Sequence, residues 1–234
     1  MKRLMDISVA LLALLLACPI LALFCMLIFL QDFKSPIYIS NRVGLGGRLF
    51  KMYKLRSMIS GADKSGVAST AGDDLRITPI GQIVRRLKLD ELVQLVNVLK
   101  GDMSLVGPRP NVKSETALYT TYEQRLLSVR PGITDFASIV FSDEAEILKG
   151  SSDPDKDYNR LIRPLKSELG IFYIETANFL VDLFLCFTTV VAIVNREKSL
   201  KLLAWMLMAR GAPARVVEES RRQSPLKPRL PPEE

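Results

Sequence analysis

ISVALLALLLACPILALFCMLIFL, residues 7–30, is an uncharged run of 24 residues. As a helix it would extend about 36 Å, enough for a hydrocarbon core of about 30 Å. A signal peptide has an apolar region of only about 7–15 residues. This run continues into Gln31-Asp32-Phe33 with no Ala-x-Ala pattern, so cleavage is not expected. Pro19 lies near the middle, where its missing N–H and its ring disturb the bond to the Leu15 carbonyl and bend the helix. Lys2 and Arg3 precede the run, and Lys34, Arg42, Arg48, Lys51, Lys54 and Arg56 follow it. Basic residues mark the cytoplasmic side of a membrane, and here both ends are basic. From these residues two readings stay open: a tilted single span bent at Pro19, or a bent helix that enters and leaves by one face.

Working outward, residues 33–47 are rich in Pro, Ser, Asn and Gly and read as a loop with a short strand at 37–40. Residues 48–58 alternate apolar and basic side chains, which predicts a strand or hairpin arm with a cationic face. Residues 59–74 read as a flexible loop. Thr78-Pro79 is a helix start, because Thr caps well and Pro suits the first turn. Residues 87–100 (LKLDELVQLVNVLK) predict a helix closed by Gly101. Leu89, Leu92, Val96 and Leu99 form its apolar stripe, and Asp90, Gln94 and Asn97 share another face. Gly107-Pro108-Arg109-Pro110 is rigid and non-helical. A second helical stretch covers 114–129, ended by Arg130-Pro131-Gly132, and 151–157 is a polar turn. Residues 171–194 are apolar except at Glu175 and Asp182. With Asn178 and Thr189 these form one polar face, which predicts an amphipathic helix in a membrane surface, continued at 200–208 with Trp205 as anchor. A buried core helix is the alternative there. The Pro-rich, charged stretch after Gly211 is expected to be disordered. The fold class is α+β and mostly helical, in four parts: 1–36 membrane helix and flank, 37–170 catalytic domain, 171–208 interfacial helices, 209–234 tail.

The chain of 234 residues has 32 Lys and Arg, 25 Asp and Glu, a net charge of +7, and no histidine. That zero excludes His-based triads, a His general base and His-containing zinc sites. Cys18, Cys25 and Cys186 lie in apolar stretches without CxxC spacing, so neither a disulfide framework nor a four-cysteine zinc site is expected, and a reducing setting is favoured. Any chemistry falls to carboxylates, Lys, Arg, Tyr, Ser or the backbone. Asp90-Glu91 would ordinarily be a solvated helix face. Arg85, Arg86 and Lys88 beside it, together with the helix N-terminus, are expected to keep a carboxylate ionised and usable as nucleophile or metal ligand. With Arg109 and Arg130 in Pro-flanked segments, the pattern suggests an anionic substrate handled at a bilayer. Gly44-Leu45-Gly46-Gly47 lacks the context of a phosphate loop and reads as a turn. The dispersed basic residues match no nucleic-acid-binding pattern, and no nucleic-acid partner is expected.

Leu89-Asp90-Glu91-Leu92-Val93-Gln94-Leu95, the segment 97–104 (NVLKGDMS) and Leu105-Val106-Gly107-Pro108-Arg109-Pro110 resemble the core of the bacterial sugar transferases, the monotopic polyprenyl-phosphate phosphoglycosyl transferases. The segments 54–58 (KLRSM), 74–78 (DLRIT) and 129–134 (VRPGIT) are similar to flanking family motifs in the same order. The resemblance implies a re-entrant first helix, broken at Cys18-Pro19. It implies transfer of a phosphosugar from a UDP-sugar to undecaprenyl phosphate through a phosphosugar–aspartyl intermediate on Asp90, with UMP released. Glu91 would help hold Mg²⁺ with Asp90 and activate the acceptor, and Arg85 and Arg109 would bind phosphates. Lys54, Arg56 and Arg130 match motif positions counted with the substrate-binding set. The implied setting is the cytoplasmic face of a bacterial inner membrane, ahead of downstream glycosyltransferases.

Three positions depart from the family pattern. Val93 stands where Pro is usual, and Lys88 replaces a Ser that would form a capping box with Glu91. After Thr134 the chain reads DFASIVFSDE, without the family's substrate-contacting Arg. Two other functions fit parts of the sequence. A non-catalytic adaptor on anionic lipid would account for anchor and charge but not for Asp90-Glu91. A tethered nucleic-acid binder would need a denser basic groove.

Overall fold

A computed structural model describes residues 1–65, 67 and 69–232. The loop expected over 59–74 includes residues 66 and 68, which lie outside the described residues, as do 233 and 234 of the tail. Helix α1 (Lys2–Asp32) is helical without interruption, with Pro19 inside it, so the expected break at Cys18-Pro19 is not a departure from helical structure. It is long and apolar enough to cross a membrane. Strands β1 (Ile37–Val43) and β2 (Leu49–Leu55) form an antiparallel hairpin, Ile37 opposite Leu55 and Val43 opposite Leu49. The Gly44–Gly47 segment is the turn between them, with Gly46 and Gly47 at positive φ.

Helix α2 (Pro79–Arg86) starts as expected, the Thr78 hydroxyl accepting from the Gly81 N–H. The single helix expected over 87–100 is instead two pieces, α3 (Leu89–Leu92) and α4 (Leu95–Lys100). The break falls at Val93-Gln94, where the bonds tighten to three residues back (the Gln94 N–H to the Glu91 carbonyl, the Val96 N–H to the Val93 carbonyl), while Lys88, left-handed at φ 55°, turns the chain between α2 and α3. Gly101 closes α4 at φ 88°. Strand β3 (Ser104–Val106) follows. The helix expected over 114–129 is likewise broken, into α5 (Lys113–Thr116), α6 (Thr121–Gln124) and a 3₁₀ turn at Arg125–Ser128. Thr120 and Glu123 form a capping box that restarts the helix there.

Strand β4 (Gly132–Thr134) pairs in parallel with β3, Ser104 opposite Gly132 and Val106 opposite Thr134. The two backbones are so close that a Cβ on Gly132 would lie 2.1 Å from the Gly107 nitrogen, so only glycine fits. Short helices α7 (Phe136–Val140), α8 (Glu144–Ile147) and α9 (Pro154–Asp157) lead through a π-type turn into α10 (Arg163–Thr176). Asn178 then breaks the apolar run expected over 171–194. Its side chain accepts from the Leu180 and Val181 N–H groups and caps α11 (Phe179–Val194). Helices α12 (Arg196–Ala209) and α13 (Ala214–Ser220) complete the chain. The last is a correction to the disordered tail: Val216 and Val217 are buried, and Arg215 and Arg229 both pair with Glu168 of α10.

The core gathers β2, β3, α4, α7 and α10 to α13 around Phe136, Leu165, Leu169 and Leu203. Both ends of α1 are fastened to this one body. At the first end, Lys2 Nζ bonds Asp182 (2.7 Å), the Tyr173 hydroxyl and the Val106 carbonyl. Arg3 donates to the last carbonyls of α4, those of Val98 and Leu99. Buried Asp6 accepts from Ser104 Oγ and the Leu105 N–H. At the other end, Phe24 and Ile28 pack with Leu55, Val84 and Leu89. Leu12, Leu15 and Leu16 between them are exposed. Along the expected polar face, Asp182 points inward, Asn178 caps α11 and Thr189 bonds Thr134, while Leu180, Phe187, Val190 and Val194 face out.

Candidate functional site

The site is built from β2, the α2–α3 corner and the segment after β3. Lys88 cannot make the capping box a Ser would offer, and no side chain caps α3. The Glu91 carboxylate goes to Arg109 instead, in a two-pronged pair of 2.5 Å (Oε1 to Nη2) and 2.8 Å (Oε2 to Nη1). Such fork-to-carboxylate geometry fixes orientation as well as charge. Arg109 also donates to the Ile133 carbonyl of β4 at 2.9 Å. The rigid 107–110 segment, pressed against Gly132, thus aims this guanidinium at the carboxylate pair. Lys54 Nζ lies 4.0 Å from Glu91 Oε1. Arg85 is tied to Ser57 Oγ at 2.9 Å and lies within electrostatic reach of Asp90. Val93 has φ −65°, an angle that a proline would also adopt.

The two adjacent carboxyls are driven apart. Burial pushes Glu91 up, but the charge and hydrogen bonds of Arg109 prevail and hold it at about 2. Burial and the neighbouring Glu91 charge push Asp90 up, against Lys54, Arg85 and Lys88. The cations and the helix N-terminus were expected to favour the ionised form; desolvation and the Glu91 charge outweigh the cations in the direction of the shift. Burial also lowers Lys54, opposed by Glu91. Among the described residues, no hydrogen bond or ion pair within bonding distance reaches the Asp90 carboxylate. It is an available carboxylate ringed by cations.

The structure brings together Lys54, Arg85, Asp90, Glu91 and Arg109. Arg56 and Arg130 are engaged elsewhere. Arg56 grips the end of α1, bonding Asp32 at 2.5 and 2.6 Å and the Ile28, Lys34 and Ser35 carbonyls. Arg130 Nε donates to the Gly101 carbonyl beyond α4. Sequence reasoning passed over what stands behind Arg109: a small polar cavity of about 30 Å³ lined by Asn111, Tyr119, Asp135, Tyr158 and Lys166 among others. It has room for a water or two. Asp135, the first residue of the departing segment, caps α7 by accepting from the Ser138 N–H and hydroxyl. Lys166 pairs with Glu144 at 2.9 Å. No local signal marks these residues, because they meet Arg109 only through the fold.

Among the described residues, no group of three or more Asp, Glu, Cys or His side chains could cage a metal ion. Asp90 beside Glu91 nonetheless fits Mg²⁺, which is usually held by one or two carboxylates with water and substrate phosphates. Asp90 is the freer ligand, since Arg109 already occupies both Glu91 oxygens.

Fold and site define a small α+β protein with a cation-ringed carboxylate pair set beside one long apolar helix. Residues 1–196 match the bacterial sugar transferase family, and the chain belongs to it. It is 35% identical over 193 residues to an Aeromonas hydrophila protein named UDP-N-acetylgalactosamine-undecaprenyl-phosphate N-acetylgalactosaminephosphotransferase, covering 81% of this chain and 42% of that one. It is 39% identical over 142 residues to the UDP-glucose:undecaprenyl-phosphate glucose-1-phosphate transferase of Caulobacter vibrioides (strain ATCC 19089 / CIP 103742 / CB 15), covering 59% of this chain and 53% of that one. Against the exopolysaccharide production protein PSS of Rhizobium leguminosarum bv. phaseoli, identity is 37% over 210 residues, 85% of this chain and 97% of that one. The chain thus spans about half the length of the first two relatives.

Proposed function

We propose that this protein transfers a phosphosugar from a UDP-sugar to undecaprenyl phosphate, opening the membrane stage of a bacterial glycan. The observation that carries this reading is the division of labour in the carboxylate pair of a sugar-transferase family member. Glu91 is paired with Arg109, while Asp90, among cations, keeps a carboxylate without hydrogen bonds among the described residues. An Asp90 oxygen attacks the phosphorus that bears the sugar. The bond from that phosphorus to the UMP oxygen breaks, UMP leaves, and the phosphosugar rests on Asp90. A phosphate oxygen of the acceptor then attacks the same phosphorus, the bond to Asp90 breaks, and polyprenyl-diphospho-sugar departs.

Phosphoryl transfer of this kind depends on positioning and charge neutralisation. Arg85 and Lys54 are placed to meet the phosphates on the Asp90 side, and Arg109 holds Glu91 toward the acceptor. Mg²⁺ on Asp90 and Glu91 would neutralise charge on the diphosphate and the leaving UMP. Arg56 and Arg130 serve the frame rather than the substrate.

A seat on the cytoplasmic face of the inner membrane is supported by α1. A straight span would carry one of its ends across the bilayer, away from the body that here holds both. Pro19 at mid-helix suits a helix that dips in and returns. The outward apolar face of α11 suits the bilayer surface, and the released product suits downstream membrane glycosyltransferases as partners. The test is UMP release with Mg²⁺, polyprenyl phosphate and a panel of UDP-sugars that includes UDP-N-acetylgalactosamine and UDP-glucose. Release that needs both donor and acceptor for turnover is expected. No release with any donor contradicts the reading.

A further inference from the structure

Gln94 is fully buried, and among the described residues neither its Oε1 nor its Nε2 has a hydrogen-bond partner. Buried amides are nearly always satisfied, so an orphaned one needs an explanation. Its position supplies one. Gln94 stands four residues after Asp90, and the chain between them keeps right-handed helical dihedrals at Val93 and Gln94 (φ −65° and −64°), the turn being closed by the Gln94 N–H on the Glu91 carbonyl. Side chains four apart on a helix are neighbours, and a long one leans back over the preceding turn. One turn further on, Asn97 uses the same face to grip β2, its amide bonding the Lys51 carbonyl at 2.7 Å and the Tyr53 N–H at 3.1 Å. Asn97 is satisfied by the fold, whereas Gln94, between it and the site, is not. Asp90 is the matching case, a carboxylate without hydrogen bonds among the described residues.

We propose that Gln94 is a positioning residue for Asp90, its Nε2 donating a hydrogen bond to one carboxylate oxygen so that the other faces the donor phosphorus. Such bonds are often long before substrate binds and tighten in the reacting complex. The inference rests on Asp90 being the nucleophile of the proposed reaction.

The test pairs stability with half-reaction kinetics for Gln94→Met and Gln94→Leu in the full chain. Replacing an unbonded buried amide by an apolar side chain of similar volume should hold or raise the melting temperature. The rate of the first UMP release without acceptor should fall about tenfold or more at saturating donor, with the donor KM within about twofold. A first-release rate close to wild type in either folded variant overturns the proposal. So does a melting temperature that falls in both, because the amide would then be holding the core together. A wild-type chain that releases no UMP with any donor sinks the underlying reading instead, and this inference with it.

Discussion

At the scale of single residues, the site works by giving two adjacent carboxyls opposite environments. Arg109 holds Glu91 at about 2 against its burial, while burial and Glu91 itself push Asp90 up. Groups separated in this way can take different roles in one reaction. Arg109→Lys should therefore lower the rate of UMP release at least tenfold, since an ammonium cannot make the two-pronged pair. Steady-state release with saturating donor checks it. Lys88 carries the other residue-scale strain, a non-glycine side chain at φ 55°. Lys88→Gly should leave the melting temperature unchanged or raised. Lys88→Val should lower it by about 2–4 °C, for a cost near 1 kcal/mol, as differential scanning calorimetry would show. The Asp90-Glu91 pair beside Arg85 was legible from residue type and spacing, whereas Lys54 and Arg109 were marked as site residues by the family resemblance. The bonds of Arg56 to Asp32 and of Arg130 to the Gly101 carbonyl were not legible, because a motif position does not reveal which carbonyl or carboxylate a guanidinium will meet. Nor does the sequence reveal that Gln94 is buried without a partner.

Among the elements, α1 carries most of what composition concealed. Lys2 and Arg3 read as flanking charge, yet each is committed to a particular partner. Lys2 pairs with buried Asp182, and Arg3 meets the carbonyl end of α4. The latter is where a cation is favoured by the helix dipole. Asp6→Ala would strip the buried Leu105 N–H of its acceptor. At about 1–3 kcal/mol for an unsatisfied buried group, the melting temperature should drop by roughly 2–10 °C. The far end has a pH signature. Hydrogen bonds from Arg56 hold the Asp32 carboxyl down at about 2, below its ordinary 3.8. A carboxyl lowered on folding stabilises above its unfolded value, so this clamp should hold at neutral pH and be lost as pH falls from about 4 through 2. Acid unfolding of Arg56→Gln, compared with wild type, should lack that component. Helix starts at Thr78 and the close at Gly101 were readable from capping chemistry. The interruptions at Lys88 and Asn178 were not, because apolar periodicity runs unbroken through both. The α13 helix was hidden by the prolines and charges around Val216 and Val217.

For the whole molecule, the outward faces of α1 and α11 are apolar while their ends and inner faces are tied to one body. Single cysteines introduced at Met1 and Lys34, with Cys18, Cys25 and Cys186 replaced, should both react with a membrane-impermeant thiol reagent from the cytoplasmic side only. Labelling of one from each side would mean that α1 spans. The mostly helical α+β class was readable from the elements, but the arrangement that sets Lys166 and Tyr158 behind Arg109 was not, since those contacts join residues far apart in the chain.

The most direct test of the central claim is mass spectrometry of the protein incubated with Mg²⁺ and its UDP-sugar in the absence of acceptor. The predicted result is a mass increase of one phosphosugar, mapped to the peptide bearing Asp90, absent from Asp90→Asn and discharged on adding polyprenyl phosphate. An adduct on another residue, or near-normal turnover by Asp90→Asn, would contradict the account.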